Sequence, residues 1–197
     1  MKLFSALLFI GLTCFCTSGC RSKQKGTLAV KQSDSSKFFP VNDIILEDIG
    51  DVEKTAYYVY RITTGNHIKR DSAAITVREF RSIANSFLDK NINTPSLRQE
   101  YQESVFHDLT LNSITITYST ENDKLPVTDV TVLLDDKTNK VKRIFISTFY
   151  TRNDSTFREK YFWKAGKSFQ INQSITTPAN EVTEETTFIA WNDPDIK

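Results

Sequence analysis

The amino-acid sequence predicts an α+β domain, in which a mostly antiparallel β-meander of about six strands is covered by about three N-terminal helices. Two observations support this fold class. Through the first half of the chain, apolar residues recur three and four positions apart, which is the spacing of amphipathic helices. From Leu111 onward they alternate with polar residues, and turn sequences separate the alternating segments at intervals too short to hold helices. Such short intervals imply hairpin connections, so neighbouring strands are expected to run antiparallel.

The chain begins with a segment typical of export signals. Lys2 provides a positive start, residues 3–16 are mostly apolar, and the segment ends on Thr17-Ser18-Gly19-Cys20. This arrangement resembles the signal peptide and lipobox of bacterial lipoproteins. The resemblance implies that residues 1–19 are cleaved and that the thiol of Cys20 is acylated, which would tether the protein to a membrane of the cell envelope.

Two other interpretations of this segment stay open. A secretory signal cleaved after Gly19 would look similar, and Thr17 stands where lipoproteins prefer an aliphatic residue. A retained transmembrane helix is disfavoured, because polar residues interrupt an apolar run that is shorter than the roughly 20 residues a span requires. Arg21 is not the aspartate that retains lipoproteins in the inner membrane, so the resemblance implies the outer membrane, facing the periplasm.

The composition excludes several classes of function. Cys14, Cys16 and Cys20 lie at or before the expected cleavage point, so the remaining chain has no thiol for a disulfide, a metal site or a nucleophile. The formal net charge is +1, and a balanced surface of this kind provides no field that would attract nucleic acid. Residues 20–37 are rich in Ser, Lys and Gln, which is typical of a flexible tether, and a single domain is expected over 38–197.

Three helices are expected before the sheet, near residues 40–53, 77–90 and 95–108. Pro40 is placed as a first-turn proline of the first helix. Thr76 and Glu79 have the spacing of a capping box, which predicts the start of the second helix. Strands rich in aromatic and β-branched residues are expected near 57–62 and 72–75, between the first two helices.

The second half of the chain is expected to form the meander. Ile114, Ile116 and Tyr118 alternate with threonines, as in a strand with one buried face. The last three strands are expected near residues 156–164, 168–177 and 182–191. The core is expected to include the side chains of Phe80, Ile83, Phe87 and Ile144.

The sequence contains no recognisable catalytic or cofactor motif. Glu103 and His107 lie four residues apart on the expected third helix and would share a face, but two groups do not complete a metal site. Ser104 near His107 lacks the glycine-containing elbow of a serine hydrolase. Asp135 and Asp136 lack the ligand spacing of a calcium loop. We therefore expect no enzyme activity, no catalytic residue, no metal ligand and no cofactor.

An excess of aromatic residues in two strands points to a candidate binding surface. The strands near 143–150 and 157–164 carry large apolar side chains on both faces, whereas a single layer of helices covers one face. The candidate surface comprises Phe145, Phe149, Phe162 and Trp163. Aromatic groups dominate contact energy where a partner removes them from water. Ordinary packing at a corner of the sheet would explain the same excess.

Two hypotheses of function follow from these observations. The first is a lipid-anchored, periplasm-facing, non-enzymatic interaction module that reaches the membrane through acylated Cys20 and contacts an envelope protein. The alternative is a carrier or sensor of a small apolar ligand held between a curved sheet and its helices. A continuous apolar cavity would favour the carrier, and a solid core with exposed aromatic groups would favour the interaction module.

Overall fold

The computed structural model describes residues 38–192, which form two amphipathic helices, one single-turn helix and nine β-strands. The helices are α1 (Val41–Lys54), α2 (Val77–Leu88) and the single turn α3 (Pro95–Arg98). The strands are β1 (Tyr60–Gly65), β2 (Asp71–Ala74), β3 (Gln102–Asp108), β4 (Ser113–Ser119), β5 (Val127–Asp135), β6 (Val141–Arg152), β7 (Ser155–Lys164), β8 (Ser168–Thr176) and β9 (Val182–Ala190).

All nine strands belong to one antiparallel sheet, in the order β2-β1-β9-β8-β7-β6-β5-β4-β3. Strands β3 to β9 form a continuous meander. The hairpin β1–β2 joins its far edge, because β1 pairs with β9 so that Tyr60 lies opposite Ala190. The prediction of a mostly antiparallel sheet is confirmed. The predicted count of six strands and three helices is wrong, since the early hairpin and most of the third helix add strands to the same sheet.

The predicted third helix, residues 95–108, is the main error. Its start was placed correctly at Pro95, but the helix ends after one turn at Arg98, and β3 follows. Strand β3 pairs along its whole length with β4, and Val105 lies opposite Ile116. This ladder satisfies the backbone groups of β3 that face β4, while those on the other side lie at the edge of the sheet. Tertiary pairing therefore overrides the helical spacing of the apolar residues.

Helices α1 and α2 cover one face of the sheet. The capping box of α2 is present: the Thr76 hydroxyl accepts from the Glu79 backbone N–H (3.2 Å), and the Glu79 carboxylate accepts from the Thr76 backbone N–H (2.8 Å). This exchange satisfies two groups at the helix start and fixes where α2 begins. Of the predicted core residues, Phe80, Phe87 and Ile144 are fully buried, and Ile83 is partly buried against them.

Aromatic side chains fill the space between the helices and the sheet. The rings of Trp163 and Phe169 stack with centroids 5.0 Å apart, and Phe87 meets the Trp163 ring edge-on at 4.9 Å. The indole Nε1–H of Trp163 donates to the Asp48 carboxylate of α1 (2.6 Å), which also accepts from the Gly166 backbone N–H (2.9 Å). Burial raises the pKa of Asp48, although both of these hydrogen bonds act to lower it. The core is therefore anchored to α1 by a polar contact as well as by packing.

Candidate functional site

The face of the sheet opposite α1 and α2 carries the candidate binding surface. Successive side chains of a strand point to opposite faces, so alternate residues of β6 and β7 lie on this helix-free face. Phe145 and Phe162 lie opposite one another in the β6–β7 register. Their rings are perpendicular, with centroids 5.6 Å apart. This edge-to-face pair forms the apolar centre of the face.

Phe149 extends the same row of side chains toward solvent. It is 42% exposed and lies opposite Arg158 of β7. The Arg158 guanidinium carbon is 5.1 Å from the centroid of the Phe149 ring, which is a cation–π contact. The ring is therefore presented to solvent together with a positive charge.

Four cations share this face with the three phenylalanines. They are Arg143, Arg158, Lys160 and Lys164, which alternate with core-facing residues along β6 and β7. Strands β6, β7 and β8 contain one carboxylate, Glu159, and its side chain is buried on the helix-covered face. On these three strands the helix-free face therefore presents aromatic and positive groups and no negative one, while Asp129 of β5 and Glu184 of β9 lie on the same face in the adjacent strands. We call this set the aromatic–basic surface: Arg143, Phe145, Phe149, Arg158, Lys160, Phe162 and Lys164.

Part of the aromatic–basic surface is concave. A cleft of about 410 Å³ is bordered by Phe145 and Phe162, and continues past Gln170 of β8 to Phe188 of β9. Arg143 and Lys164 also line it, so positive groups border its apolar residues. A groove with an apolar floor, a few polar groups and positive margins can hold an apolar side chain of a partner while its neighbouring carboxylates meet the cations.

Trp163 lies apart from the other three residues of the predicted surface. It contributes to the floor of the cleft, but its side chain is 1% exposed and belongs to the aromatic core beneath α2. The alternation of β7 explains this position, because Trp163 is one residue from Phe162 and faces the other way. The structure thus brings Phe145, Phe149 and Phe162 together on one face and assigns Trp163 to packing.

The helix-covered face contains a buried carboxylate, Glu159. It accepts hydrogen bonds from Gln173 Nε2 (2.9 Å), Thr148 Oγ1 (3.0 Å) and Tyr161 OH (3.0 Å), and it pairs with the Lys90 ammonium at 3.3 Å. Burial alone would raise the pKa of Glu159. Together, the hydrogen bonds from Gln173, Tyr161 and Thr148 and the charge of Lys90 outweigh burial and hold that pKa below its usual value. Glu159 is therefore ionised, and its carboxylate takes part in several hydrogen bonds and an ion pair. This arrangement suits a structural role better than proton transfer.

The histidine and acidic residues considered from the sequence do not form a metal centre. Glu103 and His107 lie on β3 rather than on a helix, so the expected helical face does not exist. The Nε2 of His107 is 2.6 Å from the Asp136 carboxylate. Asp135 pairs with Lys142 and accepts a hydrogen bond from the Thr138 backbone N–H, and these contacts lower its pKa to about 2. Among residues 38–192, no group of three or more His, Cys, Asp or Glu side chains is placed to hold a metal ion.

Cys20, the predicted lipidation site, lies outside the described residues. No protein-family model, curated protein or solved structure matches the chain. Over the part of the chain that the structure describes, no helix has the length and apolar character needed to cross a membrane.

Proposed function

We propose that the protein is a lipid-anchored, non-enzymatic recognition module of the bacterial cell envelope, which faces the periplasm from the outer membrane. Its aromatic–basic surface binds an acidic segment of a partner protein. One observation supports this function best: on strands β6 to β8 the helix-free face carries four cations and three phenylalanines and, among the described residues, no carboxylate, while Asp129 and Glu184 lie on this face in the adjacent strands. The anchor rests on the resemblance of residues 1–20 to a lipoprotein signal.

The charge and the aromatic groups of this surface indicate what kind of partner it binds. Because the formal net charge of the chain is only +1, the cations of β6 and β7 form a local patch rather than part of a uniformly basic surface. A local patch steers and orients a partner segment of opposite charge. Exposed Phe149 and the Phe145–Phe162 pair supply the apolar contact area that gives such an interface its affinity. An acidic peptide segment with interspersed apolar side chains fits both features.

The second hypothesis, a carrier of a small apolar ligand, is less well supported by the space within the fold. The volume between α1, α2 and the sheet is filled by the stacked core around Phe87, Trp163 and Phe169. A cavity beside α2 does exist, but charged side chains line it. An apolar ligand there would strip water from those charges without replacing it, which is unfavourable.

Replacing Cys20 by serine is expected to release the domain into the soluble fraction or to leave the precursor unprocessed. A serine hydroxyl does not accept the thioether-linked lipid, so the variant lacks the acyl chains that would hold it stably at the membrane. Fractionation of cells followed by immunoblotting measures the result. The matched control is Cys16→Ser, which lies before the expected cleavage point and should leave attachment intact. Recovery of the unsubstituted protein in the soluble periplasm would contradict the anchor.

The double substitution Arg158→Glu and Lys160→Glu is expected to weaken binding of an acidic peptide by at least about tenfold, because it reverses two charges at the centre of the patch. The probe is a fluorescently labelled peptide of alternating glutamate and leucine, titrated with protein and followed by anisotropy. Both residues are exposed on β7, so the fold should be retained.

The control for this experiment is Lys69→Glu with Arg70→Glu. These residues are exposed in the loop between β1 and β2, and their substitution makes the same change in net charge away from the surface. Binding that falls equally in both double variants would indicate a net-charge effect only. The proposal also fails if the unsubstituted protein does not bind the peptide, or if a lysine–leucine peptide binds as well.

A further inference from the structure

A second cavity, of about 480 Å³, lies on the other side of the sheet beside α2. Its walls are Ser82, Ile83 and Ser86 of α2 and alternate side chains of β1, β9, β8 and β7. It is therefore separate from the aromatic–basic surface and does not depend on the function proposed for that surface. Its lining mixes hydroxyl, amide and charged groups with a few apolar ones.

The strand register arranges these side chains in two parallel rows. Glu185 of β9, Gln173 of β8 and Glu159 of β7 lie opposite one another across three strands and form a polar row. Thr187, Ile171 and Tyr161 form the neighbouring, more apolar row. A ligand that lies along the strand direction would cross both rows, so it would meet hydrogen-bonding groups at one end and more apolar groups next to them.

Arg61 of β1 supplies the positive end of the cavity. Its Nε is buried and has no hydrogen-bond partner among the described residues, and its guanidinium forms a loose ion pair with exposed Asp71 at 3.7 Å. A buried donor without an acceptor is unfavourable, and a ligand with an acceptor oxygen would relieve this cost. The planar guanidinium fits a carboxylate best, because it can donate two parallel hydrogen bonds to it.

Glu185 supplies the negative end. The lining holds a second carboxylate, Glu159, but the Lys90 ammonium neutralises it at 3.3 Å. Glu185 has one hydrogen bond, accepted at Oε1 from Thr187 Oγ1 (3.3 Å), and no ion pair among the described residues. The cavity therefore presents Glu185 without an ion pair among the described residues, and Arg61 with only the loose contact to Asp71, and it favours a ligand with the complementary pair of charges.

The distance between the two charges restricts the length of that ligand. Arg61 lies opposite Ile189 in the β1–β9 register, and Glu185 is four residues farther along β9. This separation is about 13 Å along the strand at the level of the Cα atoms. The charged groups of a free amino acid are much closer together. An extended peptide of two or three residues spans about 7–10 Å, and the long Arg61 and Glu185 side chains can cover the remainder.

We propose that this cavity binds a short zwitterionic peptide of two or three residues. Its terminal carboxylate is held by Arg61, and its terminal ammonium is held by Glu185. The peptide backbone runs along β1 and β9, past Thr63 and Thr187, and small side chains contact Ile171 of β8.

The test is isothermal titration of the full-length protein, purified in detergent, with trialanine as the probe. Saturable binding is expected. N-acetyl-trialanine, trialanine amide and free alanine should each bind at least about tenfold more weakly, because each lacks one charge or the required length. Equal binding of a blocked peptide or of free alanine would overturn the assignment, and so would the absence of saturable binding.

Two variants assign the ends of the peptide. Arg61→Met removes the guanidinium but keeps an unbranched side chain. It should weaken binding of trialanine and abolish the preference for trialanine over trialanine amide. Glu185→Gln should also weaken binding of trialanine, and it should abolish the preference for trialanine over N-acetyl-trialanine. Thermal unfolding midpoints within a few degrees of the unsubstituted protein show that a variant is folded. A folded Arg61→Met protein that still distinguishes trialanine from its amide would overturn the proposed orientation.

Discussion

Replacing Phe87 by alanine is expected to lower the free energy of unfolding by about 3–5 kcal/mol. The Phe87 side chain is fully buried, and its ring makes edge-on contacts with Tyr161, Trp163 and Phe169 at centroid distances of 4.9–5.2 Å. Truncation removes the apolar transfer energy of the ring and leaves a cavity that three aromatic neighbours held by their own strands cannot close. Chemical denaturation, followed by tryptophan fluorescence, measures the change.

The matched control is Phe149→Ala on the helix-free face. The same atoms are removed there, but the side chain is 42% exposed, so the loss should stay below about 1 kcal/mol. An unchanged denaturation midpoint for Phe87→Ala would mean that the apolar stripe of α2 does not face the core. A large loss for Phe149→Ala would favour corner packing over a binding surface.

Local signals predicted the elements of the fold that are fixed locally. The start of α2 was predictable because the capping box of Thr76 and Glu79 lies within one helical turn. The hairpin between β6 and β7 was predictable because Asn153 and Asp154 tolerate the positive φ angles, 51° and 56°, that this tight turn requires. Each of these features depends on residues that are neighbours in the chain.

Features that depend on distant partners could not be predicted in this way. Gln102–Asp108 has apolar residues at helical spacing, and only pairing with β4 makes it a strand. The same limit applies to the sheet order, because nothing local to Tyr60–Gly65 indicates that it lies beside β9, more than a hundred residues later.

In the candidate surface, too, the local features were predictable from the sequence and the features that depend on distant strands were not. The strands of this surface were identified from large apolar side chains on both faces, but the candidate surface grouped Trp163 with Phe162, although the two residues point to opposite faces. The period of two in β7 was a usable signal: Arg158, Lys160, Phe162 and Lys164 alternate with core-facing residues and identify the positive face. The cavity beside α2 had no such signal. Its polar row joins Glu185, Gln173 and Glu159 from three strands, and register alone brings them together.

Substituting Glu159 by glutamine is expected to lower the free energy of unfolding by about 3 kcal/mol at pH 7. Glutamine keeps the size of the side chain, but it loses the attraction of Lys90 and places an amide N–H₂ among donors that need an acceptor. Three of these donors belong to Thr148, Tyr161 and Gln173. The control is Glu121→Gln, an exposed position that should change stability by no more than about 0.5 kcal/mol.

The difference in stability between the unsubstituted protein and the Glu159→Gln variant is also expected to depend on pH. The contacts of Glu159 hold its pKa below the usual value in the folded state, so its ionised form stabilises the fold above the unfolded-state pKa of about 4.3. This contribution is lost as the pH falls through the lower folded-state pKa. Denaturation of both proteins from pH 7 to pH 3 should therefore show their stabilities converging, because the other carboxylates titrate alike in each. A gap that stays constant over this range would show that the Glu159 charge does not stabilise the fold, and that the loss at pH 7 comes from packing and hydrogen-bond geometry alone.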